Sequence, residues 1–205
     1  LPAAILQTEV LVLLKRPPAE SYQSCTLFSP EHGVLSAFIR VPRTSAPKLA
    51  LDLFDEASIT LESSNQGRTW FVRDGRVLHR AVGIGRSYEA LRAASVLAAL
   101  IARNPPAQEG RAPVSTLLRT SLDALASGGN PDVVLFKSVY RYARDEGYPV
   151  KEEWLPGLPA AERADAERLL RTPLADLEPA AAAAAAALQP RLDAYLRHHT
   201  EILLD

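Results

Sequence analysis

Three short β-prone runs, joined by brief turn-rich connections, fill the first 45 residues and restrict the fold more than any other feature of the chain. Thr8–Lys15 is apolar and β-prone, and Pro17-Pro18 with Glu20-Ser21 break it. Gln23–Phe28 follows, then a turn at Ser29-Pro30-Glu31-His32-Gly33, then Val34–Val41, which stops at Pro42. Gly33 supplies the positive φ that such a turn needs, and proline cannot donate to a central ladder. A strand, a broken connection and a tight hairpin open a small β-barrel.

The pattern continues to about residue 80. Leu51–Ser63 contains an alternating stretch, with Ile59 and Leu61 against Thr60 and Glu62, and predicts a fourth strand. Ser63-Ser64-Asn65-Gln66-Gly67 is a loop by composition. Thr69–Arg73 begins a fifth strand, which Asp74-Gly75 turns or bulges before Val77–His79. Five strands in this order suit a five-stranded Greek-key barrel of the OB type.

From Ser87 the hydrophobic period changes. Tyr88–Arg103 is apolar nearly all round and predicts a buried central helix, ended by Asn104-Pro105-Pro106. Val114–Ser127 carries a stripe of Val114, Leu117, Leu118, Leu122 and Leu125 behind Pro113. Asn130-Pro131 caps the next helix, which runs to Gly147. Shorter helices are expected over Pro159–Arg171 and Pro173–Leu177. Ala180–Ala187 reads as helix rather than linker, because the stripe Leu192, Tyr195, Leu196, His199 and Ile202 follows it, with Pro190 at a first turn or kink. The expected fold is therefore α+β: an OB-type barrel over residues 1–80 packed on an all-helical domain over residues 81–205.

Composition excludes several functions. A net charge of −1 over 205 residues argues against a strongly basic nucleic-acid coat and leaves room for a local basic patch. Residues 1–80 hold nine Lys/Arg against eight Asp/Glu, and residues 81–205 hold fourteen against sixteen. Cys25 is the only cysteine, so neither an intrachain disulfide nor a cysteine-rich zinc site can form. No apolar run reaches the roughly 18 to 20 residues a membrane-spanning helix needs. The start, Leu1-Pro2-Ala3-Ala4, has no charged n-region, so no signal peptide is expected, and a cytoplasmic location fits.

The order of these motifs resembles the RecO family of bacterial recombination mediators. The resemblance rests on Ala4-Ile5-Leu6, on Val10–Lys15 leading into Arg16-Pro17-Pro18-Ala19-Glu20-Ser21, on Thr26–Ser36, and on Ala50–Phe54. Phe136, the helix end Glu146-Gly147-Tyr148-Pro149 and the tail Ala194–His199 continue it over nearly the whole chain. The resemblance implies a protein that binds and anneals single-stranded DNA, and that binds RecR and the acidic C-terminal tail of single-strand-binding protein. Two features depart from the family. Its four-cysteine zinc module is absent, since Pro149 runs straight into Lys151–Leu158. Its basic stretch after strand three is reduced to Arg40, Arg43 and Lys48.

OB barrels bind along the face of strands 2 and 3, flanked by the loops after strands 1 and 4. Lys15 and Arg16 fall at the first of these loops, Arg40, Arg43 and Lys48 at and beyond the end of strand three, and Arg68, Arg73 and Arg76 around the fifth strand. A phosphate track needs such cations around a groove, with an aromatic for base stacking, and Trp70 is the candidate. The plain alternative is that these are solvated charges at strand ends and Trp70 belongs to the core. Lys137, Arg141 and Arg144 share one helix face and form a candidate partner-binding surface for an acidic peptide; a solvated face is again the alternative, with Asp145 and Glu146 weakening the field.

Catalytic signals are missing. Gly83-Ile84-Gly85 lacks the third glycine and the lysine of a phosphate loop, and no nucleophile elbow or metal-binding histidine pair occurs. No enzyme activity, metal or cofactor is expected. The sequence points to a DNA repair and recombination factor, with a protein-interaction adaptor of little DNA affinity as the alternative.

Overall fold

A computed structural model describes residues 4–41, 49–63 and 69–204. The chain divides into two units, Leu1–Ala81 with Pro105–Ser115, and Val82–Asn104 with Thr116–Asp205. The fold is α+β, a closed five-stranded barrel followed by helices.

The barrel strands are β1 (Ala4–Lys15), β2 (Tyr22–Ser29), β3 (Gly33–Arg40), β4 (Glu56–Ser63) and β5 (Trp70–His79), closed in the order β1-β2-β3-β5-β4. This is the OB order. One long strand makes the closure possible. The first part of β1 pairs with β4, from Ala4 opposite Ser63 to Leu11 opposite Glu56. Its last part pairs with β2, from Leu11 opposite Phe28 to Lys15 opposite Cys25, with a bulge between Val12 and Leu14 that bends it across. β3 and β5 close the cylinder in parallel, with Ala37 opposite Trp70 and Phe38 opposite Phe71.

Strand alternation sends Val10, Val12, Cys25, Leu27, Ala37, Ile39, Ala57, Ile59 and Leu61 inward, where they form one buried cluster with Leu51. In the hairpin, Gly33 has φ +73°, and Ser29 Oγ accepts from the backbone N–H groups of Glu31 and His32, both at 3.2 Å.

The fourth strand starts later than its alternation implies. Leu51–Asp55 is a strap rather than strand, because Phe54 adopts φ +67°. Phe54 N donates to Val12 O at 2.9 Å and Val12 N to Asp55 O at 3.0 Å, so the strap is tied to β1. The Asp55 carboxylate, nearly fully buried, accepts from Asp52 N at 2.8 Å and Arg80 Nη1 at 2.9 Å. At Asp74-Gly75 the fifth strand bulges rather than turns, running through with an extra residue at Arg73. Glycine is required at 75 by close approach: a Cβ there would lie 2.7 Å from Ser58 O and 2.9 Å from Ile59 Cγ2.

The helices are α1 (Tyr88–Arg103), α2 (Arg111–Ala126), α3 (Pro131–Asp145), α4 (Leu155–Gly157), α5 (Ala160–Arg171) and α6 (Ala181–His199). Ser87 caps α1 by accepting from Ala90 N, and Asn130 caps α3 by accepting from Asp132 N and Val133 N, with Pro131 in the first turn. Helix α1 is less enclosed than its composition implies: it buries a face of Ala90, Ala94, Leu97 and Ile101 and leaves Tyr88 and Leu91 exposed. The alanine tract is helical and continuous with the last helix through Pro190, its buried stripe being Ala181, Ala185, Leu188, Leu192 and Leu196. Val150–Trp154 forms one π-helical turn leading into α4. Between α2 and α3, Ser138 Oγ donates to Val134 O at 2.6 Å, which leaves Ser121 as the donor in the buried 2.8 Å Ser121–Ser138 contact.

Candidate nucleic-acid interface

The outward face of β2, β3 and β5 carries three aromatic rings. Register partners share a face, so Phe38 opposite Phe71 and Phe38 opposite Ser24 place these side chains outside the barrel while Ala37, Trp70 and Cys25 point in. The Phe38 and Phe71 rings stack with centroids 5.7 Å apart and planes 29° from parallel. Tyr22 meets Phe71 edge-on, also at 5.7 Å, and is 42% exposed. Glu62 continues the row as the partner of Phe71 on β4. Four adjacent strands at their usual spacing span about 14 Å from Glu62 to Ser24. Such a row fits a short run of bases, each of which offers a π-face.

Cations edge this row unevenly. Arg40 is the cross-strand partner of Tyr22 and is exposed. Arg16 is exposed where β1 ends, and its backbone N–H donates to the carbonyl of Ser24, the residue paired with Phe38. Arg73 is exposed and ion-paired with Glu62. Arg76 is exposed opposite Ser58, farther along β5. Lys15 serves the strap instead: its side chain is only 18% exposed and its Nζ donates to Leu51 O at 2.6 Å, with Asp52 at 3.5 Å. Trp70 is half-buried and packs against the inner cluster, so the stacking rings on this face are Phe38 and Phe71. Arg43, Lys48 and Arg68 lie outside the described residues.

Burial raises the Cys25 thiol above its usual range, against a smaller lowering by Lys15. The thiol on the inner wall is therefore a packing group. Burial likewise raises the Asp55 carboxyl, opposed by its hydrogen bond from Asp52 and the Arg80 charge.

In the helical unit, Lys137, Arg141 and Arg144 do come together, along a groove of about 340 Å³ floored by Leu117, Val134 and Leu170. Their charges are largely engaged. Lys137 Nζ donates to Leu169 O and Thr172 O, both at 2.6 Å, closing the carbonyl end of α5 as a C-terminal cation should. Burial pulls its pKa below the usual lysine range. Arg144 reaches Asp145 at 2.6 Å and Arg141 reaches the same carboxylate at 3.4 Å. The groove thus presents an apolar floor with two half-exposed guanidinium groups sharing one acid.

Among the described residues no cluster of three or more His, Cys, Asp or Glu could hold a metal ion, and no helix is long and apolar enough to cross a membrane. Compared with known proteins, the chain matches no family model and no curated protein.

The rings were legible in principle. In β3, Phe38 alternates with Ala37 and Ile39, so an aromatic at the outward phase of a barrel strand was the available signal. Trp70, one residue away from Phe71, has the opposite phase.

Proposed function

We propose that this protein is a non-catalytic DNA repair and recombination mediator of the RecO type, which binds single-stranded DNA on the outer face of its barrel. The observation that carries the reading is the Tyr22–Phe71–Phe38 row on the face OB barrels use for ligands, edged by Arg16 and Arg40. Bases stack on the rings while exposed arginines hold phosphates, so binding is tolerant of sequence and sensitive to salt. Annealing follows from presenting one strand with its pairing edges free. Recombinase loading would then depend on partners, and the sequence resemblance names them: RecR, and the acidic tail of single-strand-binding protein. The α3 groove suits such a tail, with an apolar floor for its hydrophobic tip and Arg141 and Arg144 for its carboxylates.

A second reading has its own support. Lys15 is committed to the strap and Arg73 to Glu62, so among the described residues few cations on the barrel face are unengaged. On that basis the protein acts as an adaptor with little DNA affinity, working through the α3 groove.

Titrating a labelled thymidine oligonucleotide at several salt concentrations separates the two. A mediator gives log K falling with log salt by roughly 0.7 per phosphate contacted; no binding at low salt refutes the DNA role. Pull-down with RecR and with a single-strand-binding-protein tail peptide tests the adaptor role, and failure to retain either refutes it.

A further inference from the structure

The acid in the aromatic row has no place in a surface built only to attract DNA. Glu62 stands beside Phe71 on the outward face, one strand along from the stacked Phe71 and Phe38 rings. Arg73 reaches Glu62 because of a bulge. Thr60 is opposite Asp74 and Leu61 opposite Val72, so Arg73 is the inserted residue, and a bulge re-aims the side chain it carries. The guanidinium Nε meets the Glu62 carboxylate, with the arginine side chain 67% exposed and the glutamate 30% exposed. The arginine end of the pair is open to water, so the contact is weakened and screened by salt, and the guanidinium is within reach of a second anion.

We infer that Glu62 is a built-in competitor for DNA phosphate: it occupies Arg73 in the free protein and gives it up to a bound strand. The inference rests on the barrel face being the single-strand site proposed above. The competition keeps the face from holding DNA tightly, which suits a protein that must release a strand once it has paired. The glutamate sets affinity and salt dependence, while the rings supply sequence-tolerant contact.

The test measures fluorescence anisotropy of a fluorescein-labelled thymidine oligonucleotide over a range of sodium chloride, with the full chain. Glu62→Gln should tighten binding about five-fold at low salt and steepen the salt slope by up to about 0.7, because no freed carboxylate then takes up a cation in exchange for the one the phosphate releases. Arg73→Gln alone should change affinity less than about two-fold, and adding it to Glu62→Gln should remove the gain. Glu62→Thr, which keeps strand propensity, serves as the second variant should the glutamine form fold poorly. If wild type binds and both Glu62 variants bind identically to it, the inference falls and the DNA site stands. A gain that survives Arg73→Gln also overturns it, since the glutamate would then act as a bare charge. Binding by the Glu62 variants where wild type shows none overturns the inference together with the wild-type DNA role, since the glutamate would then never yield Arg73 to a strand. Binding by no variant overturns both readings.

Discussion

Replacing Phe71 by alanine removes the ring that touches both other aromatics of the barrel face, Tyr22 and Phe38, each with centroids 5.7 Å away. Two ring pairs vanish at about 0.5–1.5 kcal/mol each, so the fold should lose about 1–3 kcal/mol. The larger consequence is for DNA. Loss of one stacked base costs about 1–3 kcal/mol of binding, a weakening of roughly 5- to 150-fold. No charge changes, so the slope of log K against log salt should stay as in wild type while the whole line drops. Anisotropy titrations at several salt concentrations read both quantities, and chemical denaturation confirms that the variant is folded under those conditions. Trp70→Ala is the control, because that side chain packs against the inner cluster: it should lower stability and leave the DNA affinity of the folded protein nearly unchanged. Equal DNA affinity in wild type and Phe71→Ala would refute the stacking argument. A changed salt slope would refute it as well, since it would mean that the ring acts by positioning cations.

Gly75→Ala should destabilise the barrel by about 1–3 kcal/mol in thermal or urea denaturation, because the added Cβ would lie 2.7 Å from Ser58 O; wild-type stability would show that the β4–β5 ladder relaxes freely there. Asp55 gives a pH prediction. Burial raises its folded-state pKa above the ordinary value of 3.8, so its favourable contribution is fully present below the unfolded pKa and is lost as pH rises through the folded one. Urea midpoints of wild type relative to Asp55→Asn should therefore rise as pH is lowered from 7 toward 4, and a falling difference would show that the Arg80 contact dominates burial.

Much of the architecture was written in local chemistry. Gly33 and Ser29 specify the hairpin, Ser87 and Asn130-Pro131 start α1 and α3, and alternation over Ile59 and Leu61 marks a strand, because each signal acts over a few residues. The alanine tract was legible as helix for the same reason, its propensity needing only the stripe behind it for anchorage. Leu51–Asp55 misled because its apolar residues suit a strand while Phe54 takes a left-handed conformation held by the hydrogen bonds that it and Asp55 make with Val12 of β1.

Charge and aromatic type could be counted from the chain, but their use depended on pairing. Whether Trp70 or Phe71 faces water is a matter of one residue of phase, decided by which residues of β3 lie opposite them. Lys15 and Lys137 looked like surface cations until the folded backbone placed Leu51 O and the end of α5 within reach of their ammonium groups. Glu62 became a partner for Arg73 only through a bulge in β5. Turns, caps and periods are local and can be read along the chain. Which face a side chain shares, and with whom, is settled by contacts between distant segments that form only when the strands pair and the helices pack.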